Sequence, residues 1–393
     1  MKILHTADWH VGKVLKNRPR HDEHRAILAD LVRIADEQDV DVVVVAGDLF
    51  ETATPNPQAQ SLVMKTLLTL RADGRHVVVL AGNHDNPRLV DEVYRPVLGE
   101  LGLHVLGYPK RPDDGGTLSI TTRSGETAKV AVLPFLSYRF AVRAAEVILH
   151  ESAQHSMDYA RKIGLFLDLL CAGFTPDTVN LVTTHGTLLG GRRGGGEREG
   201  QTLLGYELPA TLFPAGAHYA ALGHLHRYQQ IDGPCPIAYS GSPLVLDFGE
   251  QDNEPMALIV HATPDSRASI HPVPVHGGRP LRTLRGTLDQ VVAEGRDVQG
   301  SGVEDCFFRV VLAQQASAGL ADRVREQIPN VLEVQIDEQF RPKPAGQRRA
   351  GPSRLGRSPT DLFADFLAES NVDDARVANL FAELLDEVTG GPA

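Results

Sequence analysis

The sequence predicts an α/β fold of αββα type, a two-sheet sandwich between helices, followed by a small α+β domain and a C-terminal helical tail. Three observations predict it. Short apolar segments alternate with amphipathic ones from Met1 to about His276. The later part of this region is rich in strands with few helices between them, which favours a second sheet. Several of the apolar segments also lead directly into side chains that can bind metal ions.

The segments that precede these polar side chains are short, β-branched or apolar, and bounded by Gly, Asp or Asn, as buried strands are. They are Lys2–Leu4, Val42–Ala46, Val77–Ala81, Leu181–Val182 and Tyr219–Leu222. Open sheets covered by helices place reactive groups beyond the carboxyl ends of their strands, so we expect the side chains that follow to converge. These are Asp8, His10, Asp48, Asn83, His84, Asp85, His185, His224 and His226.

The remaining elements follow in order along the chain. A charged amphipathic pattern predicts a helix over about Asp22–Asp36. Alternating or apolar runs predict the strands Val130–Leu133, Ile237–Tyr239, Met256–Val260 and Ser269–His271. We therefore expect a first domain over residues 1–276, ended by a stretch rich in glycine and proline.

Residues 279–340 read as strand, helix, strand, helix, strand, and Cys306–Leu312 and Val331–Ile336 are the clearest strands. A proline- and glycine-rich basic linker is expected over 341–357 and a helical tail over 358–390. The tail begins with a helix-capping pattern, Ser358-Pro359 with Asp361. Its apolar residues lie at helical spacing: Leu362, Phe363, Phe366, Leu367, Val377, Leu380, Phe381, Leu384 and Val388. Such a tail either folds back on its own body or docks in a partner's groove.

Composition limits the class of protein. The chain has 393 residues, is 42% hydrophobic and carries a formal charge of −11, which argues against a uniformly basic surface but not against local DNA-binding patches. Cys171, Cys235 and Cys306 are widely separated, so we expect neither disulfides nor a thiolate metal site. The sequence begins with a strand rather than a signal peptide and contains no run long enough to span a bilayer. We expect a cytoplasmic protein without a membrane partner.

Mixed imidazole and carboxylate side chains indicate a two-metal site that hydrolyses phosphoesters. Asp48, alone after the most hydrophobic strand, is the natural bridge between two cations. This donor mixture suits manganese, iron or zinc better than magnesium, and manganese is the first choice. His84, next to Asp85 as an acceptor that fixes its tautomer, is predicted to be a proton donor or a transition-state clamp rather than a ligand.

The ordered motifs Asp8-x-His10, Gly47-Asp48, Gly82-Asn83-His84-Asp85, Thr184-His185-Gly186 and Gly223-His224-x-His226 resemble the calcineurin-like metallophosphoesterase superfamily. The segments Leu4–Gly12, Gly47–Phe50, Tyr239–Leu244 and Asp247–Glu250 resemble its SbcD family of bacterial nuclease subunits. The resemblance extends over nearly the whole chain.

This resemblance implies a manganese-dependent nuclease that acts on double-stranded DNA ends and hairpins in repair and recombination. One metal would be held by Asp8, His10, Asp48 and His226, and the other by Asp48, Asn83, His185 and His224. His84 and Asp85 would be catalytic. The partners implied are DNA, an SbcC-type ATPase bound through the C-terminal helices, and a second copy of the chain. Residues 279–340 would form a DNA-capping domain.

A homodimer would use helices near residues 57–72 and 88–98. Their apolar residues are Leu62, Val63, Leu67 and Leu70 on the first and Leu89, Val90, Val93 and Tyr94 on the second. The loop with Lys13, Lys16, Arg18 and Arg20 either lines a DNA track or is simply solvated.

Two departures from the family pattern concern the site. The glycine-rich loop Gly190–Gly200, with Arg192, Arg193 and Arg198, and Glu51 have no role that the resemblance supplies. Two other functions stay open: a phosphatase or cyclic-nucleotide phosphodiesterase on the same fold, and a catalytically idle scaffold that recruits the ATPase to DNA. The Asp-Arg-Gly run that follows Gly-Asp in protein phosphatases is replaced here by Leu49-Phe50-Glu51.

Overall fold

Two six-stranded sheets face each other across a layer of apolar side chains. The computed structural model describes residues 1–137, 140–141, 159–197, 207–300, 306–341, 359–369 and 376–381. The chain forms two compact units, Met1–Phe340 and Arg341–Ala393. The predicted linker falls almost wholly outside the described residues, as do Arg198, Leu384 and Val388.

The strands are β1 (Lys2–Thr6), β2 (Val14–Leu15), β3 (Arg18–Pro19), β4 (Val42–Val45), β5 (His76–Leu80), β6 (Leu103–Leu106), β7 (Thr117–Thr121), β8 (Thr127–Leu133), β9 (Val179–His185), β10 (Tyr219–Gly223), β11 (Gln229–Ile231), β12 (Ile237–Tyr239), β13 (Met256–Thr263), β14 (Ser266–Pro274), β15 (Leu281–Gly286), β16 (Phe307–Leu312) and β17 (Val331–Ile336). The described helices are α1 (His21–Glu37), α2 (Pro57–Leu70), α3 (Pro87–Leu89), a π-helical turn (Val90–Tyr94), α4 (Arg95–Glu100), α5 (Tyr159–Cys171), α6 (Leu288–Gly300), α7 (Leu320–Gln327) and α8 (Pro359–Glu369). Residues 376–381 are also helical.

The first sheet has the strand order β14-β13-β1-β4-β5-β6, and the second has the order β11-β12-β10-β9-β8-β7. In the first sheet, β1, β4, β5 and β6 run parallel, and β13 and β14 continue it antiparallel. In the second, β12, β10, β9 and β8 run parallel between antiparallel edge strands. Parallel strands place their carboxyl ends at one edge of a sheet.

Alternation along the strands builds the layers. On β4, Val42 and Val44 point into the layer between the sheets, whereas Val43 and Val45 pack with the helices outside the first sheet. Because side chains alternate between the two faces of a strand, a strand buried on both faces is mostly apolar along its whole length. Helices α1 and α2 cover the first sheet, and α5 covers the second. The predicted αββα sandwich is confirmed.

The region after this sandwich is a three-stranded parallel sheet, β15-β16-β17, with α6 and α7 as crossovers. This is the predicted strand and helix order. Its own core includes Leu284, Val310 and Val324. A second cluster joins it to the sandwich: Leu281 and Phe307 pack with Leu15 and Phe248.

Candidate metal centre

The ligands predicted from separate strands lie together at the carboxyl ends of β1, β4, β5, β9 and β10. Among the described residues, three groups have potential ligand atoms within 4.8 Å of one another, and every member is buried. The groups are Asp8 with His10 and His226, His10 with Asp48 and His84, and Asp48 with His185 and His224. Asp48 belongs to the last two, so it lies between the two sides of the centre.

The backbone turns sharply beyond these strands. Asp8, His10, Asp48 and His224 have φ values of 54°, 47°, 51° and 106°, a region that residues other than glycine rarely adopt. Such strain persists only where the surrounding structure enforces it, and it is concentrated at functional sites. The strained turns therefore lie where the ligand atoms of separate strands come within 4.8 Å of one another.

Asp48 is fixed by its surroundings. Its Oδ2 lies 3.5 Å from Nε2 of His10 and 3.4 Å from Nε2 of His185, and its Oδ1 accepts the His84 backbone N–H at 2.8 Å. Gly82 passes so close that an added Cβ would lie 2.2 Å from Asp48 Oδ1, so only glycine fits there. One carboxylate oxygen therefore remains directed between the two histidines.

On the first side of Asp48, two imidazoles face each other with Nε2 atoms 3.2 Å apart, those of His10 and His226. The Nδ1–H of His10 is donated to Glu51 at 3.0 Å, and that of His226 to Glu250 at 2.6 Å. Burial keeps His10 neutral, whereas His226 holds a proton on Nε2 and donates it to Nε2 of His10. A divalent cation between the two rings can replace that proton. Asp8 completes this side, and its carboxylate accepts the backbone N–H of His224 at 2.9 and 3.1 Å.

On the second side, the amide oxygen of Asn83 lies 2.8 Å from Nε2 of His185 and 2.8 Å from Nδ1 of His224. The other ring nitrogen of His185 donates to the Ala46 carbonyl at 2.8 Å. Protonated His185 therefore donates its Nε2–H to Asn83, and Asp48 Oδ2 lies 3.4 Å from the same nitrogen. A divalent cation that replaces this proton would meet the same oxygen atoms.

Burial and mutual charge shift the acid–base equilibria. Burial raises the pKa of Asp8 to about 7. For His226, burial lowers the pKa, but the hydrogen bond and charge of Glu250 outweigh it and raise the pKa to about 9. The same opposition, with Asp48 as the partner, raises the pKa of His185 to about 9. Burial lowers the pKa of His10 to about 4. The charges of the carboxylates thus draw protons onto two of the histidines, and a divalent cation can replace those protons.

The donor set fits divalent metal ions because it combines carboxylate, amide and imidazole donors in a buried setting.

His84 lies beside the first side of the centre, and its ring meets that of His10 edge to face with centroids 4.6 Å apart. Its Nδ1 donates to the Glu51 backbone carbonyl at 2.8 Å. The prediction that Asp85 orients this ring is wrong. The Asp85 carboxylate instead accepts the backbone N–H groups of Leu49, Phe50 and Gly82, because it turns back beneath the loop that carries Asp48.

Comparisons with known proteins identify the family. Residues 1–228 match the model of the calcineurin-like phosphoesterases, and residues 278–371 match that of the type 5 capsule protein repressor C-terminal domain. The chain is 31% identical to the SbcD subunit of nuclease SbcCD from Bacillus subtilis (strain 168) over 400 residues, which covers 99% of this chain and 98% of that one. The chain belongs to the SbcD family of calcineurin-like phosphoesterases.

Two other SbcD relatives are similarly distant. The Rhodobacter capsulatus protein of the same name is 32% identical, with 93% of this chain and 94% of that one covered. The Escherichia coli (strain K12) protein is 31% identical over 301 residues, 75% of this chain and 73% of that one. The predicted family is therefore confirmed, and as a member of the SbcD family the chain is a metal-dependent phosphoesterase of the nuclease type.

Three acidic residues at this SbcD-family site were not predicted from the sequence to support it: Glu51, Glu197 and Glu250. Glu197 accepts the backbone N–H groups of Gly194, Gly195 and His226, at 2.6, 2.8 and 3.0 Å. Glu51 follows the Asp48 motif closely in the sequence, so of the three it was the easiest to associate with the site. Glu250 is separated by 24 residues from His226. No spacing rule connects them, because the contact is made by the fold.

The structure also corrects the basic loop. Arg20 is only 1% exposed; it donates to both oxygens of Glu23 and to the Val245 carbonyl. It is a structural residue rather than a DNA contact. Lys13 and Lys16 form ion pairs with Glu51 and Glu333 at 3.0 Å, while the Arg18 side chain is exposed.

The predicted dimer faces are largely wrong in detail. Val63, Leu67, Leu70, Val90 and Tyr94 are buried in the core against the first sheet, because an amphipathic helix turns its apolar face to its own domain first. The exposed apolar residues in this region are Leu68, Val93, Val97 and Leu101, at 41%, 51%, 62% and 51%. Among the residues that the structure describes, no helix has both the length and the hydropathy to cross a membrane.

Proposed function

We propose that this chain is the nuclease subunit of a DNA-processing complex and hydrolyses phosphodiesters with two bound divalent cations. The observation that carries the proposal is the pair of buried donor groups on either side of Asp48, with His84 beside them. In the two-metal mechanism, such cations activate the nucleophile and neutralise charge on the attacking and leaving oxygens.

Asp8, His10, Asp48 and His226 would hold one cation, and Asp48, Asn83, His185 and His224 the other. Manganese is the metal we propose, because each cation would have two imidazoles among its oxygen ligands, a mixture that suits manganese better than magnesium. The His84 backbone N–H donates a hydrogen bond to Oδ1 of Asp48, the bridging carboxylate. This bond keeps the two residues at a fixed separation.

We propose that His84 acts on the scissile phosphate. Its Nδ1–H is committed to the Glu51 carbonyl, so Nε2 is the atom left to meet the substrate. His84 is 8% exposed and lies beside the first side of the centre. From there it can clamp a phosphate oxygen or donate a proton to the leaving oxygen. Asp85 acts indirectly, because its carboxylate accepts backbone N–H groups of the loop that carries Asp48 and so stabilises that loop.

The substrates we propose are double-stranded DNA ends, for exonuclease cleavage, and hairpins or single strands, for endonuclease cleavage. Residues 279–340 would form the DNA-capping domain. Leu281 and Phe307 of this domain pack against Leu15 and Phe248 of the sandwich, which supports a fixed arrangement of the two. Exposed Arg18 and the loop with Arg192 and Arg193 are candidate phosphate contacts.

The names of the relatives make them one component of SbcCD, and we infer that an SbcC-type ATPase is the partner here. The C-terminal unit supports docking through its helices. Phe363 of α8 stacks on Phe381 with centroids 3.9 Å apart, while Phe366 and Leu380 are 58% and 56% exposed. Such paired apolar anchors fit a helical partner. Phe366→Ala with Leu380→Ala should abolish co-purification with the ATPase and leave the chain's own DNA cleavage unchanged.

We also propose a homodimer, through the exposed residues Val93, Val97 and Leu101 rather than the buried ones. Val97→Glu should convert the dimer to a monomer in sedimentation equilibrium. Val14→Glu, an equally bulky change at a position 51% exposed on the β2–β3 hairpin, serves as the matched control. A Val97→Glu protein that still sediments as a dimer would place the contact elsewhere.

The deciding experiment uses the purified chain, alone and with its ATPase partner, on blunt duplex DNA with manganese. We expect cleavage, and a loss of about 10²–10⁴-fold in rate for His84→Ala. Metal binding should be unchanged in that variant. Hydrolysis of p-nitrophenyl phosphate without any DNA cleavage would indicate a phosphatase. DNA binding with equal, negligible cleavage by both proteins would indicate a scaffold.

A further inference from the structure

The histidines on the two sides of Asp48 are supported by different chemical groups. On the first side, a carboxylate accepts Nδ1–H of each imidazole: Glu51 for His10 and Glu250 for His226. On the second side, the acceptor behind His185 is the neutral backbone carbonyl of Ala46. The two metal positions are therefore not equivalent, although both share Asp48.

Glu250 is built into the fold. It is 1% exposed, and both of its oxygens are used: Oε1 accepts from His226 at 2.6 Å and Oε2 accepts the Leu246 backbone N–H at 2.7 Å. It ends the 3-10 turn Phe248–Glu250, whose first residue packs beneath the small domain. A buried carboxylate held in this way keeps its partner imidazole in one tautomer and one orientation.

The glycine-rich loop helps to shield the Glu250 carboxylate from solvent. An added Cβ on Gly196 would lie 2.1 Å from Glu250 Oε1, and one on Gly195 would lie 2.6 Å from the Gly249 carbonyl oxygen. The loop backbone thus lies directly against the turn, with no room for side chains. From the same loop, Glu197 accepts the His226 backbone N–H at 3.0 Å. Gly195, Gly196 and Glu197 of this loop thus lie over the Glu250–His226 pair.

Glu51 supports the other histidine and also the candidate catalytic one. Its Oε2 accepts from His10, its Oε1 accepts from Lys13, and its backbone carbonyl accepts from His84, all between 2.8 and 3.0 Å. One residue thus fixes both imidazoles. Lys13 neutralises part of its charge, so Glu250 should have the larger effect of the two carboxylates.

The charge on the two sides differs accordingly. Behind the shared Asp48, the first side has the carboxylates of Asp8, Glu51 and Glu250, whereas the second has the neutral amide of Asn83 and the Ala46 carbonyl. A carboxylate behind a ligating imidazole makes the imidazole a more basic ligand, and loss of such a partner typically costs 10–100-fold in metal affinity. The greater negative charge and the more basic imidazoles both favour a divalent cation on the first side.

We propose that Glu51 and Glu250 are positioning residues that make the Asp8–His10–His226 side the tighter metal position. The two positions then load in order: the first side fills first and stays occupied, and the second exchanges. This inference rests on the proposed function only in that two cations bind around Asp48. Regulation by metal supply then acts through the second side, where the groups other than Asp48 that support the site are neutral.

The test is a manganese titration of the full-length chain after chelator treatment, with free Mn²⁺ measured by electron paramagnetic resonance. Wild type should bind two ions in two resolved steps. Glu250→Gln should weaken the first step by about 10–100-fold and Glu51→Gln by less, with the second step unchanged. His224→Gln should remove the second step alone. Glu254→Gln, which removes an exposed acid four residues after Glu250, should change neither step.

Folding is checked independently by the fluorescence of Trp9, the single tryptophan, which is fully buried. A cobalt(II) absorption spectrum at one equivalent reports the first side directly, and Glu250→Gln should shift it while His224→Gln leaves it unchanged. Two equal steps in wild type, or a folded Glu250→Gln protein with an unchanged first step, would overturn the inference. Ordered loading without DNA cleavage would refute the nuclease function instead.

Discussion

His5 provides a quantitative test of the packing between the two sheets. It lies on β1, is fully buried, and spans to β10: its Nε2–H donates to the Leu222 carbonyl at 3.1 Å, and its Nδ1 accepts from the Tyr219 hydroxyl at 2.7 Å. The bond from Tyr219 requires an unprotonated Nδ1 and therefore the neutral imidazole. Burial lowers the pKa of His5 from 6.5 to about 3. Below pH 6.5, His5 therefore binds a proton in the unfolded chain but not in the folded one. Unfolding is then accompanied by proton uptake.

The sign and size follow from that shift. A histidine whose pKa is lowered by folding contributes stability that is complete above the unfolded value and declines as the pH falls toward the folded value. Each pH unit in this window is worth about 1.4 kcal/mol, so between pH 8 and pH 5 the His5 contribution falls by about 2 kcal/mol. His5→Gln removes the titration but keeps one donor and one acceptor for the same two partners. The variant should lose about 2 kcal/mol less than wild type over that interval.

The assay is urea unfolding of the metal-free chain at both pH values, followed by Trp9 fluorescence. Trp9 reports the sandwich because it is buried there and donates to Thr6 at 3.0 Å. Taking the difference between the two proteins cancels the other groups that titrate. His276→Gln, at an exposed position, should behave as wild type. An identical pH dependence in wild type and His5→Gln would refute the reasoning that His5 is buried in its neutral form.

Two further substitutions test contacts around the site. Gly196→Ala places a methyl group 2.1 Å from Glu250 Oε1, so we expect it to destabilise the chain by about 1–3 kcal/mol and to weaken metal binding; Gly173→Ala, which meets no atom within 4 Å, should do neither in the same thermal melts and titrations. Arg20→Ala leaves its carboxylate partner buried without a cation and should cost about 3–5 kcal/mol in urea unfolding, against at most about 0.5 kcal/mol for Arg25→Ala on the surface. A loss below about 1 kcal/mol for Arg20→Ala would show that the Glu23 carboxylate moves into solvent once its partner is removed.

The ordered loading of the two metal positions has a consequence for regulation. If the neutral side around Asn83 exchanges its ion, the chain switches between a singly and a doubly loaded state without rearranging its fold. The carboxylates behind His10 and His226 maintain the first state. Metal supply then controls cleavage through the second position alone, which the His224→Gln titration isolates.

The sequence by itself determined the sandwich and the convergence of its strand ends. The strands β1, β4, β5, β9 and β10 are mainly apolar and each leads into a metal-type side chain, and both signals are local. Asp8 and Asp48 could be placed at one edge because parallel strands in a covered sheet leave no other arrangement of their carboxyl ends. The family motifs added the division of these residues into two groups. The strand boundaries were accordingly displaced by only a few residues, as for Val179–His185.

The tertiary structure alone decided the partners of those side chains. The contacts of His226 with Glu250, of His84 with the Glu51 carbonyl, and of the Asp85 carboxylate with backbone N–H groups join segments whose approach depends on how loops pack. The burial of Arg20 and of most of the apolar face on α2 was decided in the same way. A sequence records which faces are apolar and which residues can bind a metal. Whether such a face meets its own core or a partner, and which acid supports which histidine, follows from packing between residues far apart in the chain, and no periodicity encodes it.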